Sequence, residues 1–275
     1  VKPDDSPFIE GGARRLPVRG LRGGAAYARD DWVADEVPVA LEFNGVSHAV
    51  MLATPLDLPD FALGFALSEG LLEHPGELYG VEVEEGEQGI TLQLDVASAA
   101  FARLKERRRT LAGRTGCGLC GTDSLAQVVR PLPVLPATAA LAPAAVSRAM
   151  GEAAALQALN RVTGAVHAAA WCAADGSVRL LREDVGRHNA LDKLVGAMAR
   201  RVDPAERLRG FIAVTSRASF EMVQKTVLAG VPLLAAVSAP TSMAVRLADE
   251  AGLTLVGFAR REDLAVYSHA HRLGL

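Results

Sequence analysis

Cysteine is scarce in this chain: three residues in 275, an odd number. A disulfide framework is therefore not expected in a protein of this length. No run of about 18 apolar residues is present, so no membrane-spanning helix is expected. The first twenty or so positions are rich in Pro, Gly and charge and hold no apolar segment of the secretory kind. An excess of charge of one sign is also missing. Lys and Arg number 29 against 32 Asp and Glu, a formal net charge of −3. The chain as a whole thus gives no reason to expect nucleic acid or an acidic membrane surface as partner. There is no glycine-rich phosphate loop of the Walker or dinucleotide type, no internal repeat and no heptad pattern. These absences point to a cytoplasmic protein that engages neither membrane nor nucleic acid.

Half of the residues are hydrophobic and 22% are charged, a composition that supports a real core and excludes global disorder. Residues 1–30 read as a flexible N-terminal tail. Residues 31–110 read as a small α+β domain. Val39, Leu41 and Phe43 alternate with smaller or polar residues, Asn44-Gly45 supplies a two-residue turn, and Val46 to Leu52 continues the alternation, which is a hairpin pattern. A helix is expected from about Pro59 to Leu72, with Asp57 as its cap. Two strands follow, Leu78–Glu84 and Ile90–Val96. The character then changes. Arg103–Arg109 carries five basic residues, Gly113–Gly121 is dominated by glycine, and Pro131–Pro143 contains four prolines. Residues 111–143 are therefore expected to be a loop and extended connector between domains.

Residues 144–275 have a regular rhythm. A helix over 144–160, a hairpin over 165–183 turning at Asp175-Gly176, and a helix near Asn189 are expected. Strands at 211–215, 233–237 and 253–258 then alternate with helices at 219–229 and 241–251 that stop at Gly230 and Gly252. Short apolar strands alternating with Gly-terminated helices imply βαβ units and a mainly parallel sheet with both faces covered. The fold class expected is α/β, a three-layer α/β/α sandwich with a smaller α+β domain before it.

Two cysteines stand close together in Arg114-Thr115-Gly116-Cys117-Gly118-Leu119-Cys120-Gly121-Thr122. The thiolate is the nucleophile that attacks a persulfide or disulfide, and Arg114 favours it. Flanking glycines would let the sulfur swing between donor and acceptor. Other readings of the pair remain open: a redox couple, which normally sits at a helix start; a zinc site, which needs two further ligands; or two inert thiols. His167 and Cys172, on an expected strand, read as core or sheet-face residues.

A second group, Arg182-Glu183-Asp184-Val185-Gly186-Arg187-His188-Asn189, packs acid, base and imidazole into a strand-to-helix junction, where free N–H groups can hold a ligand. It reads equally as a capped helix with surface ion pairs. A third constellation lies at strand ends: Thr215-Ser216-Arg217-Ala218-Ser219, Ser238-Ala239-Pro240-Thr241-Ser242 and Phe258-Ala259-Arg260-Arg261. Carboxyl ends of strands in an open α/β sheet share the edge where ligands bind. Hydroxyls, helix starts and three arginines there suit a phosphorylated ligand. Each loop alone reads as ordinary helix capping.

Taken together, the Cys117/Cys120 loop, the segment from Glu183 to Lys193, the segment from Thr215 to Lys225, Ser238–Thr241 and Gly257–Arg260 resemble the formate dehydrogenase accessory sulfurtransferases, the FdhD/NarQ family. The similarity extends over nearly the whole chain from about Val33. It implies a sulfur carrier that accepts persulfide sulfur from a pyridoxal-dependent cysteine desulfurase. The sulfur would pass to the molybdenum (or tungsten) bis(molybdopterin guanine dinucleotide) cofactor destined for the catalytic subunit of formate dehydrogenase. Cys117 matches the family's persulfide position, with Cys120 as helper. Phe258, Ala259, Arg260, Arg261, Glu262 and Asp263 match its cofactor-binding region, and Ser216, Arg217, Ser238, Thr241 and His188 join them as expected contacts. The chain holds no permanent cofactor on this reading, and a homodimer is expected. A cofactor-binding chaperone without sulfur chemistry is the alternative. The second half also looks like the cytidine deaminase frame. Arg187-His188-Asn189-Ala190 and Ser216-Arg217-Ala218-Ser219 fill the metal-ligand slots. Serine is a poor zinc ligand beside thiolate, so the zinc is expected to be absent and the pocket to serve nucleotide binding.

Overall fold

The computed structural model describes residues 11–110 and 132–275. It opens with β1 (Ala13–Arg22) and β2 (Ala25–Ala34), an antiparallel hairpin in register from Ala13↔Ala34 to Arg22↔Ala25. Residues 13–30, expected within a flexible tail, are therefore folded. Their turn is Gly23-Gly24, both at positive φ (57° and 83°), as a tight hairpin turn demands. Pro17 and five arginines break the apolar alternation, which hides the strands from a pattern reading. Aromatic rings do the packing instead. Arg15 lies over Trp32 at 5.8 Å, and Arg22 and Arg29 lie over Tyr27 at 5.9 and 5.5 Å. Ala13, Trp32 and Ala34 at the hairpin base pack against Leu159, Val162 and Val166.

The next hairpin, β3 (Val37–Phe43) and β4 (Val46–Ala53), turns at Asn44-Gly45 with φ of 46° and 76°. After α1 (Leu58–Ser68) come β5 (Leu78–Gly86) and β6 (Gly89–Val96) and then α2 (Ser98–Thr110). The two hairpins join through a parallel β3–β6 pair, giving a four-stranded sheet in the order β4-β3-β6-β5. Val39, Leu41, Phe43, Leu92 and Leu94 bury one face of it beneath Phe61 and Phe65 of α1 and Leu104 of α2. Asp57 does not cap α1 with its side chain. It sits in the left-handed region (φ 54°), and its carboxylate instead pairs with Arg182 at 3.3 Å. Arg103, noted in the sequence as the start of a basic run, belongs to α2 and pairs with Glu77 at 2.7 Å.

A connector without regular structure, 132–142, leads to α3 (Pro143–Leu156) and α4 (Ala158–Thr163). The single helix expected here breaks at Gln157 (ψ 85°), where the Glu183 carboxylate accepts from the N–H groups of Leu159 and Asn160 and so starts a second helix. There follow β7 (His167–Cys172), β8 (Val178–Asp184), α5 (Arg187–Arg201), α6 (Pro204–Arg207), β9 (Phe211–Val214), α7 (Phe220–Leu228), β10 (Leu233–Ala236), α8 (Ser242–Glu250), β11 (Thr254–Arg260) and β12 (Asp263–Ser268). They form one sheet in the order β12-β11-β10-β9-β7-β8. Only β9, β10 and β11 are mutually parallel. β7 runs antiparallel to both neighbours, and β12 runs antiparallel to β11. The expectation of a mainly parallel sheet thus holds at the centre alone, because tight turns at Asp175-Gly176 and Arg261-Glu262 reverse the chain where no crossover helix intervenes.

Alternation along these strands builds the layers. Ile212, Val214, Leu234, Ala236 and Leu255 face α5, α7 and α8. Phe211, Ala213, Leu233, Ala235 and Val256 face Val146, Ala149 and Met150 of α3. The fold is α/β: a three-layer sandwich beside a smaller α+β unit. The two units meet where α1 crosses α5. A Cβ on Gly64 would fall 1.7 Å from the Asp192 carbonyl oxygen, and one on Gly196 would fall 1.9 Å from that of Asp60, so the helix backbones touch. A buried ion pair closes this seam. Lys225 donates to Asp192 at 2.8 Å and to Ser68 at 2.8 Å, and Ser68 donates to Asp192 at 2.6 Å. Burial pushes the Asp192 carboxyl up, while Asp192 and Glu69 outweigh burial at Lys225 and hold its ammonium charged.

Candidate functional site

β8 and β9 both run antiparallel to β7, and β9, β10 and β11 are parallel to one another. The carboxyl ends of β8 through β11 therefore lie along one edge, where α5, α7 and α8 begin. Ligands of open α/β sheets bind at such an edge, next to unsatisfied helix N–H groups.

Backbone contacts stitch the loops of this edge together. Ala218 and Pro240 form an isolated parallel bridge, and the Thr241 N–H donates to Ala218 at 3.1 Å. On the other side, the Phe258 N–H donates to the Ser238 carbonyl at 3.3 Å, and Arg260 Nε donates to the Val237 carbonyl at 2.9 Å. Ser216, Arg217, Ser238, Thr241 and the Phe258–Asp263 segment are thus neighbours in space. Their side chains are not equally available. Ser216 is buried and donates to the Arg217 carbonyl at 3.0 Å. The Thr241 hydroxyl accepts from Ala244 N–H at 3.3 Å as the cap of α8. Ala259 is buried in the apolar layer under α3. Arg217, Arg260, Arg261, Glu262 and Asp263 are exposed. The three arginines form no ion pair among the described residues, and their guanidinium groups can receive phosphate oxygens.

Phe258 and Arg261 both hold left-handed backbones, with φ of 52° and 55°. For side chains other than glycine each costs about 1–3 kcal/mol, and such strain clusters where ligands are held. A register shift between Gly257 and Arg260 accompanies it. The bulge presents the Phe258 ring, 45% exposed, beside Arg260 and Arg261. A flat apolar ring flanked by arginines can stack a base and bind its phosphates.

His188 stands in the first turn of α5, and its Nε2 lies 3.0 Å from Glu221 Oε2 in the first turn of α7. Burial pushes the Glu221 carboxyl up, but His188, Ser219 and Arg187 outweigh it and hold the group below the ordinary range. His167 also belongs here. It opens β7 opposite Asp184, and burial with the positive charge of Arg187 and His188 lowers its pKa. The sequence reading left both Glu221 and His167 out of the site. Since β7 runs against its neighbours, its first residue reaches the edge where β8 and β9 end. Only the pairing direction reveals this.

Cys117 and Cys120 lie outside the described residues. Cys172 is fully buried, and burial, with a smaller effect from Glu152, pushes its thiol up to about 12, so it is not a nucleophile. Among the described residues no three His, Cys, Asp or Glu side chains are grouped to hold a metal ion. None of the described helices is long and apolar enough to cross a membrane.

Comparison with known proteins places this architecture. A solved protein of Desulfotalea psychrophila assigned as a formate dehydrogenase accessory protein shares the fold, with a TM-score of 0.72, 23% identity, and coverage of 95% of this chain and 99% of that one. A protein of Variovorax paradoxus (strain S110) named sulfur carrier protein FdhD is 68% identical over 269 residues, 98% of this chain and 96% of its own length. A protein of the same name from Bordetella petrii is 54% identical over 261 residues, 94% and 92% of the two chains. The sequence profile of the FdhD/NarQ family matches residues 34–274, and the chain belongs to that family.

Proposed function

We propose that this protein is a sulfur carrier in the maturation of formate dehydrogenase, acting in the cytoplasm as a sulfurtransferase. The observation that carries the reading is its 68% identity, over 98% of the chain, to a protein named as a sulfur carrier. The sequence supplies a matching chemistry in Cys117 and Cys120. The sulfur donor is a cysteine desulfurase. The Cys117 thiolate attacks the outer sulfur of the desulfurase persulfide, the S–S bond breaks, the desulfurase thiol leaves, and the outer sulfur stays on Cys117. Cys120 assists its onward transfer.

The acceptor is the molybdenum bis(molybdopterin guanine dinucleotide) cofactor, bound as a substrate and passed to the formate dehydrogenase catalytic subunit. Its guanine nucleotide sits at the strand-end edge. Arg217, Arg260 and Arg261 receive phosphates, Phe258 stacks the base, and Glu262 and Asp263 are acceptors for its N–H groups. His188, Ser238 and Thr241 border the same edge. Two copies of the chain form a homodimer that serves the two nucleotide arms. Parallel assays of Cys117→Ala and Arg260→Ala in cells that depend on formate dehydrogenase test the scheme. Cys117→Ala should abolish formate dehydrogenase activity with the fold intact, and Arg260→Ala should lower it several-fold. Full activity with Cys117→Ala would leave a cofactor-binding chaperone without sulfur chemistry as the function.

A further inference from the structure

Asp184 ends β8 and is wholly buried, yet four donors converge on its carboxylate. Oδ1 accepts from the Gly186 N–H at 2.8 Å and from Asn189 Nδ2 at 3.1 Å. Oδ2 accepts from the Thr54 N–H at 3.0 Å and pairs with Lys193 Nζ at 2.7 Å. Two of these donors reach across to the end of β4 in the N-terminal unit. Lys193 Nζ also donates to the Thr54 carbonyl at 2.8 Å, and Asn189 Nδ2 to the Leu52 carbonyl at 2.7 Å. From the other side, the Val185 N–H donates to Thr54 Oγ1 at 3.2 Å. Thr54, Asp184 and Lys193 are each 0% exposed.

The turn that this cage grips is Val185-Gly186, which delivers Arg187 and His188 to the site edge. Both its N–H groups are committed, one to Thr54 and one to Asp184. The turn is also closely packed, since a Cβ on Gly186 would come 2.9 Å from Asn189 Nδ2. None of Thr54, Asp184 or Lys193 can touch a ligand. A buried ion pair with every lone pair occupied is costly to assemble and poor as a source of net stability, but it holds one geometry. We propose that Thr54 and Asn189 are positioning residues. Through Asp184 and Lys193 they let the N-terminal unit fix the Arg187-His188 turn, and so set the affinity of the strand-end edge for the phosphates of a guanine nucleotide.

This inference rests on the nucleotide reading of the edge, and the experiment separates the two. Guanosine 5′-diphosphate is titrated into the full-length protein and into Thr54→Val, Thr54→Ser and Arg260→Ala. Thr54→Val keeps the side-chain shape but removes the acceptor for Val185, whereas Thr54→Ser keeps the oxygen. The expected result is a loss of about fivefold in affinity for Thr54→Val, restored by Thr54→Ser. The His188 ring signals in NMR should shift in the valine variant and not in the serine variant. Asn189→Ala, which cuts the tie to Leu52, should weaken binding likewise and serves if Thr54→Val does not fold. Equal affinity of wild type and these variants overturns the positioning role while leaving the site intact. No binding by wild type overturns the nucleotide reading itself.

Discussion

Charge placement at single residues decides how this protein responds to acid. Burial, and after it the charge of Arg187 and a contribution from His188, lower the His167 pKa below the ordinary value of 6.5. The unfolded chain therefore binds the proton first. Stability is full above about pH 6.5 and falls as the pH drops from there through the folded-state pKa. Glu221 acts lower on the scale. Its pKa is depressed, so its contribution is present above the unfolded carboxyl value and is lost as pH falls through the folded one. Denaturant titrations between pH 7 and 5 should show a decline for the wild type and a flatter profile for His167→Gln. Identical profiles would mean that His167 is already free to protonate. Residue identity alone exposed part of this chemistry. Arg217, Arg260 and Arg261 were readable as residues of the strand-end edge because they follow strands whose apolar runs are plain. Glu221 was not singled out, because its partner His188 lies 33 positions away on another helix. His167 was hidden by the direction of β7.

Helices and hairpins are held by a few positions where size matters more than chemistry. Gly196 of α5 and Gly64 of α1 let two backbones touch. Gly196→Ala drives a methyl against the Asp60 carbonyl and should cost roughly 1–3 kcal/mol or more, seen as a fall in the denaturation midpoint. Gly151 in α3 has open space around its missing side chain. Gly151→Ala should instead add about 0.4–1 kcal/mol, because it only restricts the unfolded chain. A gain at both sites would show that propensity, not close approach, sets these effects. The elements that local pattern identified are those with a local cause. Asn44-Gly45 demands a hairpin turn, and Gly230 and Gly252 end helices at positive φ. β1 and β2 have a local turn signal in Gly23-Gly24 but no plain apolar alternation beside it. Their arginines and Pro17 mask an alternation stabilised by Trp32 and Tyr27. β12 escaped because its partner β11 precedes it by only a two-residue turn at Arg261-Glu262, which was read as part of a binding loop.

At the scale of the whole molecule, two cores are joined along α1 and α5 by backbone contact and by two buried ion pairs, Asp184–Lys193 and Asp192–Lys225. Three of these four ion-pair residues lie in the segment from Glu183 to Lys193, which overlaps the candidate ligand-binding junction that the sequence presented at Arg182–Asn189. In the structure that segment is mostly the weld between the units, with Arg187 and His188 alone turned to the site edge. The central claim concerns sulfur on a thiol. It is tested most directly by mass spectrometry of the full-length protein after incubation with a cysteine desulfurase and cysteine. The account predicts a gain of one sulfur atom, about 32 Da, on the peptide containing Cys117, removed by a reducing dithiol. A Cys117 peptide of unchanged mass, with the desulfurase turning over and its own persulfide present, would contradict it.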